Sequence, residues 1–196
     1  SDLPAMESRL TALDQDIAQR FPEYAELIRP AILSSNQTQA LVHADQAIVS
    51  WFIGKEAGWA VVVRDTGTKV VRLKVDPLTL HRTVSAVRKS VDLGPAGFVV
   101  FPAQKAYELY EALIKPIAGE LAGVKTLYVV PDSTLPSLPL SLLLTRKPSK
   151  SVINPGDTST FASAPWLIRN YAISVLPTVS SLRALQQLSK TADAPL

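Results

Sequence analysis

Cysteine is absent from the 196 residues. That removes disulfides, thiolate zinc sites and any thiol nucleophile contributed by this chain, and it leaves the redox compartment open, because a chain without cysteine suits either. Histidine is scarce as well, with His43 and His81 the two imidazoles. A zinc site built from side chains needs three or four converging ligands, and two distant histidines among scattered acids do not announce one. No metal and no other cofactor is expected. No run reaches the roughly 18 uninterrupted apolar residues of a spanning helix, so a membrane is not an expected partner. The opening SDLPAMESRL has no basic flank, apolar run or small-residue cleavage site; no secretory signal is expected, and the internal Met6 suggests a trimmed start. Charge of one sign does not accumulate either. The net charge is +3, with basic residues dispersed among acids rather than gathered in a stripe beside aromatics, so nucleic acid is not an expected partner.

What is present suits a soluble, packed protein. Hydrophobic residues make up 47% of the chain and charged residues 19%, and a domain of roughly 150 residues buries about 70% of its unfolded surface. Met6, Leu10, Leu13, Ile17 and Phe21 recur at spacings of four, three, four and four, which predicts a leading amphipathic helix bounded by Pro22 and Pro30. The polar run Ser34 to Gln39 then reads as a linker, giving an expected division into residues 1–36, leading helix and linker, and residues 37–196.

Ala47 to Val75 is rich in Val, Ile, Trp and Phe and is punctuated by KEAG and DTGT, so three antiparallel strands are expected. Asp76 and Pro77 supply an N-cap and a first-turn proline for a helix carrying Leu80, Val84, Val87 and Val91. A second helix is expected from about Ala103 to Leu121, with Tyr107, Tyr110, Leu113 and Ile114 inward and Pro116 kinking or splitting it. Thr126 to Asp132 reads as a strand buried on both faces, the best candidate for the centre of a sheet. Six prolines from Pro131 to Pro165 predict a long, mobile surface loop in the second part of that stretch. WLIRNYAISVLP predicts a strand pair or one bent strand, and Thr178 caps a helix carrying Val179, Leu182, Leu185 and Leu188. The fold class is therefore α/β, a mixed sheet with an N-terminal antiparallel meander and flanking helices.

Several residues invite a chemical reading. Asp132 ends the central strand, where open sheets place functional groups; a local turn cap is the preferred account. Ser133, Ser137 and Ser141 lie in no nucleophile elbow and near no histidine, so none is assigned as a nucleophile. His43 and His81 read as surface or packing residues rather than bases. Lys55, Arg64, Lys69, Arg72 and Lys74 line the meander and are expected to form a solvated outer face rather than a docking site for an acidic partner. Trp51 and Trp59, with Tyr107 and Tyr110, are expected to pack as a cross-strand and sheet-to-helix core. Catalytic, cofactor-binding and metal residues are thus none. Strand-to-loop-to-helix order around Val130 also fits a nucleotide-binding α/β protein, without a glycine-rich phosphate loop to support it.

Four blocks in register carry a family resemblance. FPEYAELIRP, then LVHADQAIVSWFIG at Leu41 to Gly54, then LYEALIKPIAGELAGVKTLYVVPDSTLPSLPLSLLL, then APWLIRNYAISVLPTVSSLRAL together resemble the CHAT domain, a caspase-like domain found in many bacterial proteins behind tetratricopeptide repeats. The most specific piece is the strand ending in Val130, Pro131 and Asp132, followed by a proline-bearing turn, Leu138, Pro139 and a short helix. Members commonly show glycine at Ser133, histidine or a polar residue at Pro136 and phenylalanine at Leu140, so no role beyond shaping the sheet edge is carried over to this turn. The resemblance implies a caspase-like layered fold and, for the parent polypeptide, a cysteine endopeptidase. Its histidine and cysteine are expected downstream of the helix holding Leu182 and Leu185, and this chain by itself is expected to be inactive. It further implies, as partners, the remaining C-terminal half of the domain, an upstream repeat domain or regulatory protein, and a peptide or protein substrate. The alternative is a non-catalytic interaction or regulatory module that binds a repeat or sensor domain. A cytoplasmic location is expected.

Overall fold

The computed structural model describes residues 3–20, 32–92, 97, 99–131 and 135–192. Two units divide the chain, Val42–Val175 and a second made of Ser1–Leu41 with Leu176–Leu196. The larger unit is a mixed α/β layer. β1 (Gln46–Ile53), β2 (Gly58–Arg64) and β3 (Gly67–Leu73) form the antiparallel meander, and β4 (Thr126–Val130) and β5 (Ala172–Val175) add parallel strands in the order β3-β2-β1-β4-β5. The expected fold class is the observed one.

The meander turns where its sequence breaks. Gly54 N–H bonds Ala57 C=O at 3.0 Å in the first turn, and Asp65 and Thr66 make the second ahead of Gly67, whose φ of 148° only glycine adopts readily. Asp76 then accepts a 2.7 Å bond from Thr79 N–H and caps the helix Pro77–Val91, whose Leu80, Val84 and Val87 are buried. Its proline sits in the first turn, where the missing N–H would have had no partner.

The next helix runs Ala103–Leu113, shorter than the sequence predicts. Pro116 restricts Lys115 and removes a donor, so the chain passes instead through the 3-10 turn Lys115–Ile117 and reaches β4 by way of Gly123 at φ 76°. These two helices cover one face of the sheet. Ala47, Val49, Trp51, Ala60, Val62, Leu127 and Val129 meet Leu80, Val84, Val87, Ala106, Leu109 and Leu113 in a single apolar cluster. β4 is an interior strand between β1 and β5 rather than the centre of the sheet, which is β1, and its burial alternates: Leu127 and Val129 are buried, and Thr126, Tyr128 and Val130 are half-buried.

The stretch expected to be a long, mobile loop is anchored instead. Phe101 and Ile153 exchange two 2.9 Å backbone bonds, Leu144 pairs with Trp166, and Asp157 caps the short helix Thr158–Ser163 through Thr160 N–H at 3.1 Å. Phe101, Phe161 and Trp166 pack with ring centroids 5.3–6.1 Å apart. No helical or strand period announces this, because the anchors Phe101, Ile153, Phe161 and Trp166 are far apart in sequence. WLIRNYAISVLP holds one strand, β5, after a 3-10 turn at Leu167–Arg169.

In the smaller unit the leading helix spans Leu3–Arg20, and Ser35–Gln39 forms a short helix with a capping box at Ser34 and Gln37, where the sequence reading has a linker. Ser34 and Gln37 are the reciprocal residues that such a box needs. Phe21, Pro22 and Pro30 lie outside the described residues. Of the expected apolar stripe of the leading helix, Met6, Leu10 and Leu13 are exposed, 61–66% accessible, and Ile17 is half-buried. Thr178 Oγ1 accepts from Ser181 N–H at 3.2 Å and caps the helix Val179–Ala192, as expected; Leu182 is buried and Leu185 exposed. Gln186 Nε2 donates to Leu41 C=O at 2.8 Å.

Candidate functional site

β1, β4 and β5 run parallel and end at Ile53, Val130 and Val175, and an open sheet presents its chemistry at these carboxyl ends. Asp132 and Ser133 follow β4 and lie outside the described residues. Pro136 and Pro139 withhold donors, so the chain continues through the 3-10 turns Leu135–Ser137 and Leu140–Leu142 rather than a regular helix. Leu135, Leu138, Leu140 and Leu143 are buried there, Ser137 is exposed and Ser141 half-buried. This connection is a leucine plug at the end of β4. His43 precedes β1 and His81 lies on the helix Pro77–Val91, both exposed; among the described residues no hydrogen bond joins either imidazole to a serine.

The structure separates the aromatic quartet. Trp51 is 1% exposed on the helix-covered face and its indole N–H donates to Leu113 C=O at 3.2 Å. Trp59, opposite Phe52 rather than Trp51, falls on the other face, 41% exposed, with the Arg72 guanidinium 5.7 Å from its ring. The register Trp51 to Ala60 displaces Trp59 by one residue, and a one-residue offset reverses the face. Tyr107 and Tyr110 are stacked at 6.3 Å against the core, as expected.

The basic residues of the meander do not form one outer face. Arg72 lies with Trp59, whereas Lys69 pairs with Val62 on the opposite face. Arg64 turns inward. Its guanidinium donates to Glu120 C=O at 2.7 Å, Ala122 C=O at 3.2 Å and Ala44 C=O at 2.7 Å, so one charged fork joins the end of β2 to the segments that lead into β1 and β4. No sequence pattern marks such a residue, because its three acceptors are backbone carbonyls.

Towards the C-terminal end of the helix Ala103–Leu113, Lys115 Nζ and Tyr107 Oη donate to the same Glu111 Oε1 at 2.7 and 2.9 Å. The Lys115 bond, then the Tyr107 bond, hold the Glu111 carboxyl below its ordinary value, and Glu111 raises both Lys115 and Tyr107. Tyr171 is raised by burial. This is a solvent-facing cluster with one acid and no nucleophile. Among the described residues no group of three or more acids or histidines is placed to hold a metal ion, and no helix is long and apolar enough to cross a membrane.

The two ends of the sheet differ. β3 is lined by Lys69 and Arg72 and followed by Lys74, the charged dressing that discourages strand addition. β5, Ala-Ile-Ser-Val, has no charge and no proline; Ala172, Ser174 and Val175 are exposed, and beyond β5 the sheet has no further strand among the described residues.

A mixed sheet with a parallel half, a plugged strand end and an uncharged open edge defines a scaffold of the α/β class. Residues 103–196, which include β4, the leucine plug and β5, match the family model of the CHAT domain. This stretch is part of a CHAT domain, a family related to the caspase-like peptidases. A search of curated proteins found no match.

Proposed function

We propose that this chain is the N-terminal scaffold of a CHAT caspase-like cysteine endopeptidase whose histidine and cysteine lie on polypeptide beyond these residues. The uncharged, open edge of β5 within the CHAT-matched stretch carries the reading. A further parallel strand bonded to β5 would end beside Val175, at the same end of the sheet as Val130. The chemistry there is attack of a histidine-activated thiolate on a peptide carbonyl, with backbone N–H groups stabilising the oxyanion, and hydrolysis of the acyl-enzyme. The chain, free of cysteine, supplies the platform and not the nucleophile. Its partners in this reading are the remaining half of the domain, an upstream repeat domain or regulatory protein, and a peptide or protein substrate, in the cytoplasm.

The test joins the chain to the polypeptide adjoining it in its reading frame and measures peptide hydrolysis and labelling by a thiol-reactive peptidyl probe. Hydrolysis is expected in the joined protein, lost on Cys→Ala and weakened by Val175→Lys at the β5 edge. Hydrolysis by the 196-residue chain alone overturns the reading, and a joined protein with neither hydrolysis nor a labelled cysteine overturns it in favour of a non-catalytic module that binds a repeat or sensor domain.

A further inference from the structure

We propose that the loop Arg146–Lys150 and the recess beside it form a binding site for a phosphate-type oxyanion. The recess has a volume of about 340 Å³, the size of a small-ligand pocket. Leu144, Ile153, Ala164 and Pro165 give it an apolar lining, and Arg146, Lys147 and Lys150 add three cations from a single five-residue turn.

That turn is held at both ends. On one side Thr145 N–H and Oγ1 both donate to Pro165 C=O, at 2.9 and 3.0 Å, and Leu144 pairs with Trp166. On the other, Gln104 N–H donates to Ser151 C=O at 2.9 Å, and Ile153 pairs with Phe101. Pro148 restricts the backbone between them. Fixing the loop before a ligand arrives lowers the ordering cost of binding.

The cations are short of internal partners. Arg146 and Lys147 form no ion pair among the described residues, and Lys150, 71% exposed, reaches Asp157 only at 3.9 Å. The Asp157 carboxylate is already committed to Thr160 N–H at 3.1 Å, Thr160 Oγ1 at 2.7 Å and Ser159 Oγ at 3.0 Å. Glu111, whose carboxyl feels Lys147, is bonded to Lys115 and Tyr107. The Thr160 and Ser163 hydroxyls in the lining donate to Asp157 and to Ser159 C=O, so the side-chain donors left for a ligand are the three cations and the Ser149 hydroxyl. A phosphate dianion with three acceptor oxygens matches that set better than a monocarboxylate, which offers two oxygens and one charge.

The experiment follows amide chemical shifts of the protein during titration with inorganic phosphate, against chloride at matched ionic strength. Saturable shifts confined to residues 146–151 and 160–165 are expected. The double variant R146A/K147A, with both changes on exposed side chains, is expected to weaken binding about tenfold or more at an unchanged melting temperature. D157N keeps a helix-capping side chain and removes the competing charge, so it is expected to tighten binding severalfold. A phosphoserine peptide that binds more tightly than inorganic phosphate identifies a phosphoprotein as the source; equal affinity identifies the free anion. Equal shifts with chloride, or undiminished binding by R146A/K147A, overturn the site.

Discussion

Replacing Arg64 should damage the larger unit more than replacing any other charged residue in the meander. The side chain makes three hydrogen bonds to backbone carbonyls on two separate segments, and its Nε is buried without a partner among the described residues. A hydrogen bond to a charged group contributes about 1.5–3 kcal/mol, and water can hydrate the carbonyls near the surface once the fork is gone, so Arg64→Met should cost about 2–4 kcal/mol rather than the sum of three bonds. With a urea slope of about 2 kcal/mol per M, the unfolding midpoint should fall by about 1–2 M. Arg64→Lys retains the charge, loses the planar fork and removes the unpaired Nε–H, so about half that loss is expected. Because the partners are carbonyls rather than carboxylates, the deficit should persist in high salt. An unfolding free energy for Arg64→Met within about 0.5 kcal/mol of wild type, or one for Arg64→Lys equal to wild type, would refute the clamp.

Trp51→Phe leaves the Leu113 carbonyl without its indole donor and opens space in the core; a loss of about 2–3 kcal/mol is expected in the same assay. A Cβ on Gly58 would stand 2.6 Å from Val75 Cγ2, so Gly58→Ala should cost about 1–3 kcal/mol, and the double change G58A/V75A should be less destabilised than the sum of its parts; strict additivity would count against the clash. The carboxyls of Asp76, Glu111 and Asp157 are all held below their ordinary values, the first and third by bonds from Thr79 and Thr160, and Glu111 by Lys115. The native state therefore binds fewer protons than the unfolded chain. Their stabilisation is full above the ordinary values of 3.8 and 4.5 and fades as pH falls through the lower native values. Urea midpoints should drop across that acid range, and a flat or rising profile would contradict the assignment.

Local chemistry was legible wherever one element could be read by itself. The meander, the Asp76–Pro77 helix start, the Thr178 cap and the apolar strand Thr126–Val130 all appear where their residues predict them. Boundaries shifted where a proline acts: Pro116, expected to kink or split the second helix, leaves it ending at Leu113 with a 3-10 turn after it. The region of Asp157 looked structureless because its order comes from a cap and three aromatic rings, with no repeating period.

The candidate site divides along the same line. Composition alone removed the thiol and left two histidines, and of the four sequence blocks that pointed to the CHAT resemblance, the family match at residues 103–196 covers the last two. Tertiary structure decided which face each side chain occupies and which charges meet. Trp51 and Trp59 part company because the hairpin register is set by pairing across the turn, and Arg64 turns inward, half-buried, because the carbonyls of Ala44, Glu120 and Ala122 come together only after the sheet has formed. The cationic turn at Arg146 likewise becomes a preorganised rim only when Pro165 and Phe101, distant in sequence, hold its two ends. Cysteine content, caps and turn residues act over a few positions and are written in the chain; register and long-range hydrogen bonds depend on where the rest of the chain has gone.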